Sequence, residues 1–136
     1  MHQRSKQIAR LLAPTIVLLQ ACAPQASKTA ALRSVEQFHS RFNDSRFSEI
    51  YDESDSDVKT TMSRKEFMDS MAAMREGQGR AIKAEEVATA SDSSSDANSI
   101  KVLMQVTFEK GKAREEFLYH MADGKAVLAG YHFLGP

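Results

Sequence analysis

Residues 100–108 read IKVLMQVTF, with Ile100, Val102, Met104, Val106 and Phe108 at every second position and mostly polar neighbours between them. A period of two suits a strand that buries one face and wets the other; a helix would repeat its apolar residues at three and four. Lys110-Gly111 and Asp123-Gly124 follow as glycine turns, which predict hairpins to two more strands, Lys112 to Ala122 and Lys125 to Leu134. Arg80 to Ala90 reads as a weaker first strand. The stretch between them, Ser91 to Ser99 (SDSSSDANS), has too little apolar surface to pack and reads as a loop. An antiparallel meander therefore fills the C-terminal half.

Turn chemistry then suggests a register. With Lys110-Gly111 as a two-residue turn, Glu109 faces Lys112, Met104 faces Phe117 and Val102 faces Tyr119. Holding the last strand on the same face requires a three-residue loop with a glycine bulge at Asp123-Gly124, which sets Met121 opposite Lys125 and Tyr119 opposite Val127. Phe117, Tyr119, Met121, Val127, Ala129, Tyr131 and Phe133 then line one surface. Leu103, Leu118 and Leu128 fall side by side on the other. Apolar area of that kind marks an interaction surface, so a homodimer through Leu103, Leu118 and Leu128 is one expectation, and a covering loop or terminus is the other.

The helices come first along the chain. From Ala30 to Phe42, Leu32, Val35, Phe38 and Phe42 recur at three- and four-residue steps on one face. A short helical turn follows around Phe47, Ile50 and Tyr51, with Asp44 or Ser45 as its cap. Ser63-Arg-Lys-Glu66 is a capping box that opens a further helix. Phe67, Met71 and Met74 form its buried stripe, and Gly77 is placed to end it in the left-handed conformation.

The first 21 residues have a different character. Arg4, Lys6 and Arg10 precede the apolar run Leu11 to Leu19 (LLAPTIVLL), which makes an n-region and an h-region. At about 1.5 Å rise per residue such a run is too short to span a bilayer, and Pro14 weakens its helix. Leu19-Gln20-Ala21-Cys22 resembles the lipobox of bacterial lipoproteins: an aliphatic residue three before the cysteine and a small one just before it, with Gln20 where a small or apolar residue is usual. The resemblance implies a diacylglycerol on the Cys22 thiol and cleavage just before it. With Ala23 rather than aspartate next, it also implies sorting to the outer membrane, facing the periplasm. Ala21-Cys22-Ala23 also fits an ordinary A-x-A cleavage site, but Pro24 would follow that cut; a buried free thiol is the third reading of the lone cysteine. The expected organisation is a signal peptide over residues 1–21, a short tether over 22–29 and one domain over 30–136.

Removing the leader leaves 15 basic against 18 acidic side chains, a net charge of −3. A mildly acidic body without a basic cluster argues against nucleic acid as a partner. The element order, with helices before a long meander ending in DGKAVLAGYH (Asp123 to His132), resembles the cystatin-like α+β roll of nuclear transport factor 2-like and SnoaL-like domains. That resemblance covers about Ala30 to Phe133 and implies N-terminal helices packed on a curved antiparallel sheet. It carries no catalytic motif.

Enzymes on such a roll keep acids and bases inside the cone between sheet and helices. Glu115 is the only carboxylate on the expected inner face, and the register sets it opposite Tyr131. A buried pair of that kind can polarise a carbonyl or move a proton, while a solvated rim contact is the plainer reading. His39, beside Phe38 and Phe42, and Tyr119 complete the pocket candidates. His120 and His132 fall on the opposite face, about 20 Å apart at roughly 3.3 Å per residue, and cannot share a metal. Asp52, Glu53, Asp55 and Asp57 alternate as in a calcium loop but lack its central glycine and terminal glutamate, so they read as a solvated acidic loop. With no phosphate loop, paired-cysteine motif or nucleophile elbow, neither metal nor cofactor is expected. The expected function is a non-enzymatic module that binds a small ligand or an envelope protein. The alternatives are a small isomerase or hydrolyase using Glu115 and Tyr131, and a structural envelope component.

Overall fold

A computed structural model describes residues 22–92 and 98–136, with 22–24 and 92 described by their backbone alone. The expected leader over residues 1–21 lies outside the described residues, as does the middle of the polar loop, 93–97. Helix α1 runs from Cys22 to Asn43. The residues read as a tether, 22–29, are therefore helical. Pro24 is tolerated because N–H groups in a first turn have no intrahelical partner to lose. Thr29 bonds back to the Gln25 carbonyl at 2.9 Å, and Lys28 pairs with Glu86 across to the sheet at 2.7 Å.

Three shorter helices follow: α2 (Phe47–Asp52), α3 (Ser56–Thr61) and α4 (Arg64–Gln78). α2 has Arg46 at its N-cap with no side-chain cap, so neither Asp44 nor Ser45 plays that part; Ser45 instead takes a positive φ of 57° at the bend out of α1. The residues read as an acidic loop build structure: Asp55 caps α3 by accepting from the Asp57 N–H, Asp52 pairs with Arg64 and Glu53 with Arg41. α4 starts on the expected capping box, with both the Ser63 and Glu66 bonds made. It ends two residues later than expected, at Gly79 rather than Gly77, with φ 76°. A Cβ on Gly79 would lie 2.8 Å from that of Glu109, so packing as well as backbone conformation requires glycine there.

The sheet is a four-stranded antiparallel meander, β1 (Ala81–Asp92), β2 (Ser99–Phe108), β3 (Gly111–Ala122) and β4 (Lys125–Gly135), in the order β1-β2-β3-β4. With the helices it makes a single α+β unit. β2 buries every second side chain, as its alternation predicts. The turn to β3, however, uses Glu109-Lys110, with Phe108 facing Gly111. Met104 therefore faces Glu115 and Val102 faces Phe117, two residues from the expected pairing. A two-residue slide keeps every side chain on its face, so the apolar pattern does not distinguish the two registers. Tertiary contacts do: the Glu109 and Lys110 N–H groups bond to the carbonyls of Arg80 and Gln78.

The second hairpin differs in a more telling way. Asp123 and Gly124, both at positive φ (51° and 74°), form a tight two-residue turn with Ala122 facing Lys125. Continued unbroken, that register would turn Tyr131 away from the interior. A bulge between the Tyr119–Leu128 and Leu118–Gly130 pairs restores the phase, so that Phe117 faces Tyr131. The extra residue expected in the turn thus lies inside β4. As a result Val127 pairs with His120 on the other face, and Leu128 turns inward to become core. Leu103, Leu118 and Leu128 do not form one patch: Leu103 faces Glu116, Leu118 faces Lys101 and Gly130, and Leu128 lies on the inner face.

α1 lies across the inner face. Phe38 stacks on Tyr131 at 4.9 Å and meets Phe117 edge-on at 5.1 Å, while Phe42 meets Phe47 and Phe108. Phe42, Phe117 and Val102 are fully buried, and burying each phenylalanine stabilises the fold by roughly 1.5–3 kcal/mol. The concave interior is filled by side chains.

Candidate functional site

Three of the four pocket candidates meet in that interior. Glu115 is a carboxylate with no exposed surface at all. His39 Nε2 approaches its Oε2 at 2.6 Å from α1, and the Tyr131 hydroxyl donates to its Oε1 at 2.6 Å from β4. Tyr131 is not directly opposite Glu115, where Phe133 stands; it reaches across the diagonal. Its oxygen also lies 3.2 Å from the Met74 sulfur on α4. Taking a carboxylate out of water costs several kcal/mol, and the two short hydrogen bonds offset that cost. Burial holds the Tyr131 phenol well above its ordinary range, and the nearby Glu115 charge and hydrogen bond add to the effect.

Tyr119 stays apart. Its ring stacks on Phe117 at 6.0 Å, but its hydroxyl is the one buried side-chain polar atom without a partner among the described residues. Burial first, and Glu115 second, raise its pKa.

Of the three clustered groups, Tyr131 lines an opening. α3, α4 and β4 enclose a groove of about 550 Å³ whose walls include Met62, Phe67, Met71, Met74, Tyr131 and Phe133. The α4 stripe Phe67, Met71 and Met74 reads from sequence as core; only the first two are fully buried, and Met74 is left at the groove. A surplus of methionines was the one signal for it, since flexible thioethers suit adaptable apolar surfaces. His132 lines the same groove.

His120 has a separate role. Its Nδ1 lies 3.4 Å from Asp55 and its Nε2 3.7 Å from Asp57, so the imidazole spans two carboxylates at the start of α3. One ligand atom from each of the three falls within 4.8 Å of the others. Both ring nitrogens lie near carboxylates, so His120 links β3 to the start of α3. The Asp57 N–H first, and His120 after it, hold the Asp55 carboxyl below its ordinary range. Among the described residues no helix is long and apolar enough to cross a membrane. No protein-family model matches the chain, and no curated protein matches it significantly.

Proposed function

We propose that this chain is a lipid-anchored bacterial envelope protein whose domain, a cystatin-like roll of the nuclear transport factor 2 kind, binds a small apolar molecule without transforming it. The observation that carries the binding reading is the methionine-walled groove between α4 and β4, about 550 Å³, a size typical of small-molecule sites. The anchor reading rests on the lipobox-like Leu19-Gln20-Ala21-Cys22 and on Ala23 after it, which favours the outer membrane, periplasmic side. Helix α1 starting at Cys22 would then hold the domain close to the bilayer, with no flexible spacer.

Access weighs against chemistry at Glu115 and Tyr131. A general base must come within hydrogen-bond reach of the proton it takes. Glu115 has no exposed surface, and both its oxygens are engaged. Tyr131 does line the groove, but its phenol is shifted upward, away from the neutral range in which an acid–base catalyst works. The filled interior favours a second reading, a structural envelope component that holds no ligand.

Two measurements separate these possibilities. Mass spectrometry of the protein purified from its host membrane should find a copurified apolar molecule, displaced by an Ala73→Lys change at an exposed position of the groove wall. A groove that takes up neither native ligand nor apolar fluorescent probe would leave the structural reading standing. Growth on labelled palmitate should label the wild type, and label retained by Cys22→Ala would refute the anchor.

A further inference from the structure

A second opening lies on the other side of α1. It is a pocket of about 610 Å³ between α1, the end of α2 and the β3–β4 turn. Its apolar lining includes Phe38, Ile50 and Leu128, and its rim carries Arg33, Arg41 and Lys125. Arg41 is already engaged, 2.6 Å from Glu53, the only carboxylate residue in the lining. Among the described residues no carboxylate lies within ion-pair distance of Arg33 or Lys125, so the pocket keeps two uncompensated positive charges.

Tyr119 forms part of the same wall. It is 2% exposed, and its hydroxyl has no partner. A buried donor left unmade costs about 1–3 kcal/mol, and this one is closed off from the pocket, so it weakens the fold without serving the site. An apolar lining beside two free cations describes a site for a molecule with an apolar body and an anionic head.

We propose that this pocket binds an anionic amphiphile. The head group, a phosphate or carboxylate, is held by Arg33 and Lys125, and the apolar part lies against Phe38, Ile50 and Leu128. The proposal rests neither on the α4–β4 groove nor on Cys22.

The test uses the full chain carrying Cys22→Ala, so that no acyl group of its own competes, with octyl phosphate as probe. Octyl phosphate should shift the backbone amide resonances of Ser34, Gly124 and Ala126, with 1-octanol and inorganic phosphate each binding at least about tenfold more weakly, because head and tail both contribute. Joint replacement Arg33→Gln and Lys125→Gln, both at exposed positions, should weaken octyl phosphate by about tenfold or more. Tyr119→Phe should leave octyl phosphate affinity unchanged and the ligand-free thermal midpoint unchanged or higher, since it removes an orphaned hydroxyl that the pocket does not reach. Octanol or inorganic phosphate binding as tightly as octyl phosphate, or full affinity in the double variant, would overturn the proposal. So would shifts confined to Ser70, Gly77 and Gly130, which line the other groove and report on it alone.

Discussion

His39 and Glu115 lie 76 residues apart in sequence and 2.6 Å apart in space. Replacing His39 with alanine leaves a fully buried carboxylate with one of its two partners gone, and the expected loss is about 3–5 kcal/mol in chemical denaturation. Glu115→Gln is the contrasting case. Its amide oxygen still accepts from Tyr131 and its NH₂ donates to an imidazole with the proton on Nδ1, so the cost should be about 1 kcal/mol. Equal losses for the two variants would mean that packing, and not charge compensation, holds the cluster. Sequence made Glu115 conspicuous as the lone carboxylate among apolar alternates, and it placed His39 and Tyr131 as candidates beside it. What it missed was depth. Strand periodicity says which face a residue takes and nothing of how far a neighbouring helix covers it, and here α1 closes over Glu115 completely.

The capping box of α4 was legible residue by residue, because both its partners lie within one turn of sequence. Ser63→Ala should therefore cost about 1 kcal/mol, measurable as a thermal midpoint lowered by roughly 4–8 °C for a domain of this size. Rescue by Ser63→Asp should restore most of the loss; equal loss with Asp would assign the effect to something other than the cap. The strands show the opposite limit. Faces in β2 and β3 followed from alternation, but their pairing slid by two residues, a change that no apolar pattern registers. In β4 the bulge beside Leu128 has no sequence signature of its own. It forms because a tight Asp123-Gly124 turn and an inward Tyr131 demand opposite phases, and one extra residue reconciles them. α3 escaped notice because six residues containing Ser56, Asp57, Thr60 and Thr61 have little apolar periodicity; Asp55 and the β4 backbone hold it, the Asp55 N–H donating to the Leu128 carbonyl at 2.7 Å.

For the molecule as a whole, the contacts of His120 with Asp55 and Asp57 tie the helical layer to the sheet, and the Asp55 carboxyl is one contributor to stability in acid. Asp55 is held below its ordinary value of 3.8, so its contribution to stability is present above that value and is lost as pH falls through the lower folded one. Asp55→Asn keeps a competent cap for α3 but removes the charge. Its stability between about pH 4 and pH 2 should decline less steeply than the wild type's, and parallel curves would assign the loss in acid to other carboxylates. Sequence by itself determined the layer order, the identity of the buried strand face, the start of α4 and the small set of residues from which the interior cluster is drawn. These follow from short-range periodicity and capping, which depend on bonds within a few residues. Only the tertiary structure decided the strand registers, the inward turn of Leu128, the burial of Glu115 and the displacement of open volume from a filled interior to two grooves at its margins. Each of those depends on how separate elements compete for the same space, a balance that no single segment carries.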